Sequence, residues 1–239
     1  MNSISKKAEI ASTAVIYDGV VIEENVIIHD YVVIYPGVTV KAGCEIFDHC
    51  VLGKYPTSPG CTERPLKSDY KSLIIGENCI LCPGTIVYMG TEIGNNCLLG
   101  DHCSIREDCI VGEYSIISRN VSVNYETVIG HHTKIMDNSH ITGNMKIGNH
   151  VFISVLVSTT NDNAMGKSGY SESQVKGAVI EDYASVGAGA NILPHVHIGK
   201  NAVIGASALV TKDVPDNCLV MGVPAKVVRV LKEASSYEG

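Results

Sequence analysis

The chain has 239 residues and nine histidines. His140 is the strongest candidate for a catalytic residue among them, because its neighbours are polar residues that could act with it. It lies in the segment D-N-S-H-I-T, where Asp137 and Asn138 come just before it. Imidazole exchanges a proton near neutral pH, and the amide side chains of Asn138 and of Asn124 can orient a bound group. We predict that His140, Asn138 and Asn124 are catalytic residues. The alternative for a histidine beside a turn is an ordinary solvated position.

The elements that carry these residues follow from a repeat of six. An aliphatic residue occupies every sixth position from Ile4 to Leu52, from Ile75 to Ile153 and from Ile180 to Val210. The repeat is interrupted at 53–72 and at about 160–178, which we predict to be loop insertions. No amphipathic helix has this period. A short strand and a turn every six residues instead predict a three-sided solenoid, whose stacked coils share one core.

The position two before each aliphatic residue holds a small side chain. Residues two apart on a strand point to the same side, so this position also faces inward. Six of the nine cysteines occupy it, and we interpret them as compact buried fillers rather than as disulfide partners or metal ligands. They are Cys44, Cys50, Cys79, Cys97, Cys103 and Cys109.

Composition and charge exclude several classes of protein. A net charge of −7 disfavours a nucleic-acid partner, which a basic face would attract. No run of the sequence approaches the ~18 apolar residues of a membrane span, and the first residues lack the apolar segment of a secretion signal. We therefore predict a cytoplasmic protein that does not enter a membrane.

The end of the chain carries two motifs, V-T-K-D-V-P at 210–215 and G-V-P-A-K at 222–226. Together with the repeat, they resemble the hexapeptide-repeat acyltransferases. This resemblance implies an all-β fold, a left-handed parallel β-helix over 1–212, and a CoA-contacting tail with a short helix over 213–239. It implies acetyl-CoA as co-substrate. The residues implied to bind it are Gly187, Ala188, Gly205, Ala206, Lys212, Lys226 and Arg229.

The middle of the chain is similar to nucleotide-sugar amine acetyltransferases, through I-R-E-D-C, I-M-D-N-S-H-I-T-G-N-M and T-T-N-D-N. This similarity implies N-acetylation of a nucleotide-linked (dTDP or UDP) deoxy amino sugar by direct attack on the thioester. The alternative is O-acetylation of a sugar or another small acceptor. The predicted substrate-binding residues are Arg106, Glu107, Asp137, Asn161 and Asp162.

One family motif is missing. Several relatives have a catalytic histidine in an H-D-C-x-I/V-G string, and alignment on Ile147–Gly148 places Gly143 and Asn144 at its His-Asp pair. A hydroxyl acceptor needs a base worth about 10²–10⁴ in rate. An amine with a pKa of about 8 is already roughly one-tenth neutral at pH 7. The missing motif therefore favours an amine acceptor.

Residues 18 apart lie on the same side of such a coil. The side through Ile105, Val123 and Ile141 is polar, whereas the other two sides carry outward apolar residues in their middle coils. Apolar sides suit burial against another subunit, and the resemblance implies a homotrimer with its active sites in the clefts between subunits. A zinc enzyme on the same solenoid is a further alternative, but we find no ligand pattern for it and predict no metal.

Overall fold

A computed structural model describes residues 2–171 and 173–231, and all regular structure within these ranges is β-strand. Before the first loop the strands are β1 (Ser3–Ile4), β2 (Glu9–Ile10), β3 (Val15–Ile16), β4 (Val21–Ile22), β5 (Ile27–Ile28), β6 (Val33–Ile34), β7 (Val38–Val40), β8 (Glu45–Ile46) and β9 (Val51–Lys54). Between the loops they are β10 (Leu73–Ile75), β11 (Ile80–Leu81), β12 (Ile86–Tyr88), β13 (Glu92–Ile93), β14 (Leu98–Leu99), β15 (Ser104–Ile105), β16 (Ile110–Val111), β17 (Ile116–Ile117), β18 (Ser122–Val123), β19 (Val128–Ile129), β20 (Lys134–Ile135), β21 (His140–Ile141), β22 (Lys146–Ile147), β23 (Phe152–Ile153) and β24 (Ser158–Thr159). After the second loop they are β25 (Val179–Ile180), β26 (Ser185–Val186), β27 (Asn191–Ile192), β28 (His197–Ile198), β29 (Val203–Ile204), β30 (Leu209–Val210), β31 (Cys218–Met221) and β32 (Lys226–Val230).

Strands β1 to β30 form three parallel sheets, and each successive strand belongs to the next sheet; β31 and β32 then both extend the second sheet. Face 1 runs from β1 through β4 to β28, face 2 from β2 through β5 to β32, and face 3 from β3 through β6 to β30, with 10, 12 and 10 strands. The architecture is the left-handed parallel β-helix that the resemblance implies. We call the corner between faces 2 and 3 the 2–3 edge, and the corner between faces 3 and 1 the 3–1 edge.

The core is a column of the repeated aliphatic residues. From Ile22 to Val210 these side chains are almost completely buried, and the six cysteines of the small inward position are buried with them. All nine cysteines are free thiols, so none forms a disulfide. The predicted repeat is confirmed, with one addition. Strand β24 continues face 3 although Thr159 replaces the aliphatic residue, and its hydroxyl donates to the carbonyl of His140 at 3.0 Å.

Many of the turns use a residue in the left-handed region, which asparagine and histidine adopt more readily than most residues. At the corner between faces 1 and 2, Tyr114, His132, His150 and Tyr183 all have φ between 54° and 61°. Because the coils repeat, their rings lie above one another in a stacked column, with ring centroids 4.8–5.0 Å apart. His131 contacts both histidines edge-on.

The tail differs from the prediction. Residues 213–231 hold no helix, and β31 and β32 instead form an antiparallel pair that extends face 2. The sequence C-L-V-M-G-V-P-A-K-V-V-R-V favours strands because β-branched valines disfavour a helix and Gly222 and Pro224 form a turn. Residues 232–239, the rest of the predicted tail, lie outside the described residues. Among the described residues, no helix has the length and apolar character to cross a membrane.

Candidate active site

Face 3 carries a strip of polar side chains over five successive strands. Parallel pairing places them in one column, Ser104 beside Ser122, Ser122 beside His140, His140 beside Ser158, and Ser158 beside Asn191. We call these five residues the polar strip. The predicted polar side is therefore confirmed, and His140 lies at its centre.

His140 is held by one side-chain hydrogen bond. Its Nδ1 and Ser122 Oγ are 2.7 Å apart, and the imidazole is half-buried. Burial lowers the pKa of His140 because it disfavours the charged ring. The ring is therefore neutral at pH 7, and when Nδ1–H donates to Ser122, Nε2 keeps a free lone pair that can accept a proton.

Asn124 and Asn138, the other two predicted catalytic residues, both precede His140 in the chain and lie at the two ends of face 3 strands. Asn138 is the left-handed residue of the turn that leads into β21, and its backbone N–H donates to the Arg119 carbonyl at 2.9 Å. Asn124 directly follows β18, the strand that carries Ser122. Both side chains reach solvent beside the polar strip, but on opposite edges of face 3.

Asp137 already has partners in the coil below it. Its carboxylate accepts from the Ser118 hydroxyl, from the Arg119 backbone N–H at 3.1 Å and from the Arg119 guanidinium. The bond from Ser118 and then the bond from Arg119 hold the pKa of Asp137 below its ordinary value. These contacts stabilise the 2–3 edge, and the predicted contact of Asp137 with substrate stays a prediction.

Four of the predicted donor-binding residues lie on the 2–3 edge above Asp137. Gly187 and Ala188 follow β26, and Gly205 and Ala206 follow β29 in the next coil. A Cβ at Gly187 would lie 2.6 Å from the Ala206 nitrogen, so glycine is needed here for the close approach of the coils. The resulting edge is narrow, and it exposes backbone instead of bulky side chains.

The tail brings its motif to the same edge. The Gly222 carbonyl accepts from the Leu209 N–H at 3.0 Å, and the Ala225 N–H donates to the Leu209 carbonyl at 2.8 Å. The turn of G-V-P-A-K therefore lies on the 2–3 edge, and the exposed Lys226 and Arg229 follow it on β32. Lys212, by contrast, follows β30 at the 3–1 edge, so the structure does not bring it together with the other six.

The 3–1 edge holds Arg106 and Glu107, and here the local structure was not foreseen. The Glu107 side chain is 0% exposed, although the residue stands in a turn, where a carboxylate is usually solvated. Its oxygens accept from Arg64 at 2.6 Å and from Arg106 at 2.7 Å. Burial alone would raise the pKa of Glu107, but the bonds from the two arginines outweigh burial and lower it. Glu107 is therefore an ionised, fully bonded carboxylate.

Asn161 and Asp162 open the second loop, at the same 3–1 edge. The Asn161 amide donates to the Tyr125 hydroxyl and to the Gly143 carbonyl, each at 3.4 Å. The Asp162 carboxylate accepts from the backbone N–H groups of Ala164 and Gly166 at 2.6 Å and so shapes the loop. A cavity of about 310 Å³ opens beside Asp162, lined also by Ser168, Ser173, Gln174 and His195.

The structure gives a reason for the missing histidine motif. A Cβ at Gly143 would lie 2.7 Å from the ring of Tyr125, so a larger residue at this position would require the ring to move. Tyr125 thus fills the space in which the family's histidine would begin. Sequence reasoning missed Tyr125 and the pairing of Ser122 with His140, because the period of six places backbones but does not say how neighbouring side chains bond.

Comparisons with known proteins agree with this geometry. The family model described as bacterial transferase hexapeptide (six repeats) matches residues 90–124 and 177–212. These two segments of the solenoid are thus similar to the hexapeptide repeats of that family, and the rest of the chain is not matched by the model.

Two curated relatives and one solved structure are examples of the proteins to which this chain is similar. The galactoside O-acetyltransferase of Lactococcus lactis is 49% identical over 59 residues, 25% of this chain and 28% of that protein. The 2,3,4,5-tetrahydropyridine-2,6-dicarboxylate N-acetyltransferase of Staphylococcus aureus is 47% identical over 55 residues, 23% of each. The chain thus spans less than a third of the length of these relatives. The UDP-N-acetylglucosamine acyltransferase of Arabidopsis has a TM-score of 0.75 at 23% identity, covering 93% of this chain and 74% of that one, which shows the shared fold.

Proposed function

We propose that this protein is an acyltransferase that uses acetyl-CoA to acetylate the amino group of a nucleotide-linked deoxy amino sugar, with dTDP or UDP as the nucleotide. The observation that carries the proposal is His140, a half-buried neutral imidazole bonded to Ser122 at the centre of a polar strip. The sequence composition predicts that the reaction takes place in the cytoplasm.

The donor would lie along the 2–3 edge. The narrow backbone at Gly187–Ala188 and Gly205–Ala206 leaves room for an extended pantetheine arm and offers amide groups for it to bond. Lys226 and Arg229 lie beyond these residues on β32, where cations would meet the phosphates of CoA. Lys212, on the other edge of the same subunit, would reach the donor only across a cleft between subunits.

The acceptor amine would attack the thioester carbonyl carbon, and the thiolate of CoA would leave as the amide forms. His140 Nε2 would take the proton that the amine loses, while Asn138 and Asn124 orient the amine from the two edges of face 3. Backbone N–H groups along the cleft would stabilise the oxyanion of the tetrahedral intermediate. Arg106, Asn161 and Asp162 would shape the acceptor end of the cleft at the 3–1 edge, and Asp137 would meet the acceptor from the 2–3 edge.

O-acetylation of a sugar hydroxyl is the second candidate. A neutral imidazole with a free Nε2 is the group that a hydroxyl acceptor requires, and one relative is described as a galactoside O-acetyltransferase. The amine is favoured because a partly neutral nucleophile depends less on the base.

We further propose that the protein works as a homotrimer, with each cleft formed by two subunits. Faces 1 and 2 expose apolar side chains on their middle coils, which suits burial between subunits. They are Ile80, Leu98, Ile110, Val128 and Phe152. Light scattering is expected to give three times the monomer mass, and a stable monomer would contradict the arrangement.

The acceptor is tested by a matched screen. Purified protein is incubated with acetyl-CoA and pairs of dTDP- or UDP-linked deoxy sugars that differ only in an amino or a hydroxyl group, and free CoA thiol is measured. We expect thiol release with an amino sugar and an amide product by mass spectrometry. Release only with the hydroxyl partner would establish the second candidate, and no release with any pair would refute acyl transfer to these sugars.

A further inference from the structure

The two loops leave the solenoid from the same corner. Strands β9 and β24 both belong to face 3, and β10 and β25, where the chain returns, both belong to face 1. The first loop (55–72) and the second loop (160–178) therefore both project from the 3–1 edge. Four strands of face 3 separate their origins, which is roughly 24 Å at the usual strand spacing.

The first loop reaches along the edge towards the second. Arg64 bonds to Glu107 at 2.6 Å and lies 3.6 Å from Glu126, and its guanidinium stacks over the Tyr125 ring at 3.6 Å. Lys67 adds ion pairs of 2.6 Å to Asp108 and 2.9 Å to Glu126. Arg64 and Lys67 are thus neutralised by the coil, and they hold the loop in place.

The second loop reaches back to the same point. Tyr125 accepts from Asn161, and the Asn144 amide donates to the Val175 carbonyl at 3.4 Å. The loops also meet directly. A Cβ at Gly169 would lie 3.9 Å from Glu63 Oε2, and Tyr170 is near enough to Arg64 to help raise the pKa of its guanidinium.

Glu107 is the group on which these contacts depend. It is the only one of the three carboxylates Glu107, Asp108 and Glu126 that is fully buried. The pKa of Arg64 is raised although burial opposes its charge, because Glu107, Glu126 and Tyr170 all bond to or face the guanidinium. Without the Glu107 charge, two arginines would be left without their shared partner, and such unpaired charges are costly.

We propose that Glu107 is a positioning residue that clamps the two loops together through Arg64 and Tyr125, and that the clamped loops form the wall that recognises the sugar acceptor. The inference rests on the proposed function for the identity of the ligand. The wall adjoins the polar strip, because Tyr125 lies three residues after Ser122, the partner of His140. The donor edge lies at the opposite corner of face 3, so the clamp is expected to affect one substrate and spare the other.

The test compares two variants with one control. Glu107→Gln keeps the shape of the side chain but removes its charge, and Tyr125→Phe removes only the hydroxyl that Asn161 meets. The control is Glu24→Gln, which removes the carboxylate of an exposed ion pair with Lys7 in the first coils. Steady-state kinetics gives KM for the amino-sugar acceptor and for acetyl-CoA, and amide hydrogen exchange by mass spectrometry follows each loop.

For Glu107→Gln we expect faster exchange in both loops but not in the coils, a rise of roughly tenfold or more in acceptor KM, and little change in KM for acetyl-CoA. Tyr125→Phe should speed exchange in the second loop alone, and Glu24→Gln in neither. Unchanged exchange in both loops of Glu107→Gln would refute the clamp. Looser loops with an unchanged acceptor KM, or an equal rise in both KM values, would refute the recognition role. If the wild-type protein transfers no acetyl group to any amino sugar, the proposed function fails, and exchange alone decides whether the clamp exists.

Discussion

Replacing His140 by Gln should slow acetyl transfer to an amine by about 100-fold. A positioned base contributes about 10²–10⁴ in rate, and the lower end applies because roughly a tenth of an amine with a pKa of about 8 is neutral at pH 7 without help. Glutamine keeps a polar side chain of similar reach but accepts no proton at neutral pH. The same variant should lose far more rate with a hydroxyl acceptor, because that group is not ionised at all at this pH.

The pH profile separates a base from a binding group. Protonation of the amine itself, with a pKa of about 8, lowers kcat of every variant as the pH falls. Because burial lowers the pKa of His140, the wild-type kcat should show an additional fall below the ordinary histidine value as Nε2 becomes protonated. This additional acid limb should be absent from His140→Gln. Ser122→Ala, which removes the partner of Nδ1, should lower kcat about 2- to 10-fold, the range expected for one hydrogen bond.

Two controls complete the assay, which measures thiol release between pH 5 and 8.5. His102→Asn replaces an exposed turn histidine, and Ser3→Ala replaces an exposed serine on the first coil, so both should keep the wild-type profile. A His140→Gln protein within threefold of wild-type kcat and with the same acid limb would refute our assignment of the base.

Two further predictions concern stability. Ile129→Ala should lower the free energy of unfolding by about 2–5 kcal/mol because the side chain is 1% exposed in the core, whereas Val15→Ala, at 48% exposed on face 3, should cost much less; equal shifts in a urea titration would contradict the inward assignment. The pKa of His150 is lowered by burial and by the neighbouring His132 and His131, so the unfolded chain binds more protons and stability should fall as the pH drops below about 6.5. His150→Asn, which tolerates the same turn, should lose less stability than wild type between pH 7.5 and 5, and an equal loss would exclude His150 as the cause.

The course of the backbone followed from the sequence because one simple constraint repeats. Each coil must bury one aliphatic side chain per face, so Ile129, Ile135 and Ile141 each identify a strand before any coordinates are known. The exception shows why this works. Thr159 occupies an inward position without an aliphatic side chain, and β24 still forms because the strands on either side of it dictate its register.

The candidate active site was harder to predict from the sequence than the fold, for two physical reasons. Contacts such as Arg64 with Glu107 join a loop to a coil 43 residues away, and no local pattern encodes them. The tail shows the second reason. Its motif implied a helix by resemblance, while the valines of 218–230 follow their own preference for strands, and β31 pairs with β29 on face 2.

Both insertions return to face 1 in register. Ile75 pairs with Val40 across the first loop, and Ile180 pairs with Ile147 across the second, as they would if a simple turn stood between them. The length of the inserted loop therefore does not change the register or the path of the coils. The two loops of such a protein can be replaced by others, which would change the ligand that it binds, while the core of the solenoid stays the same.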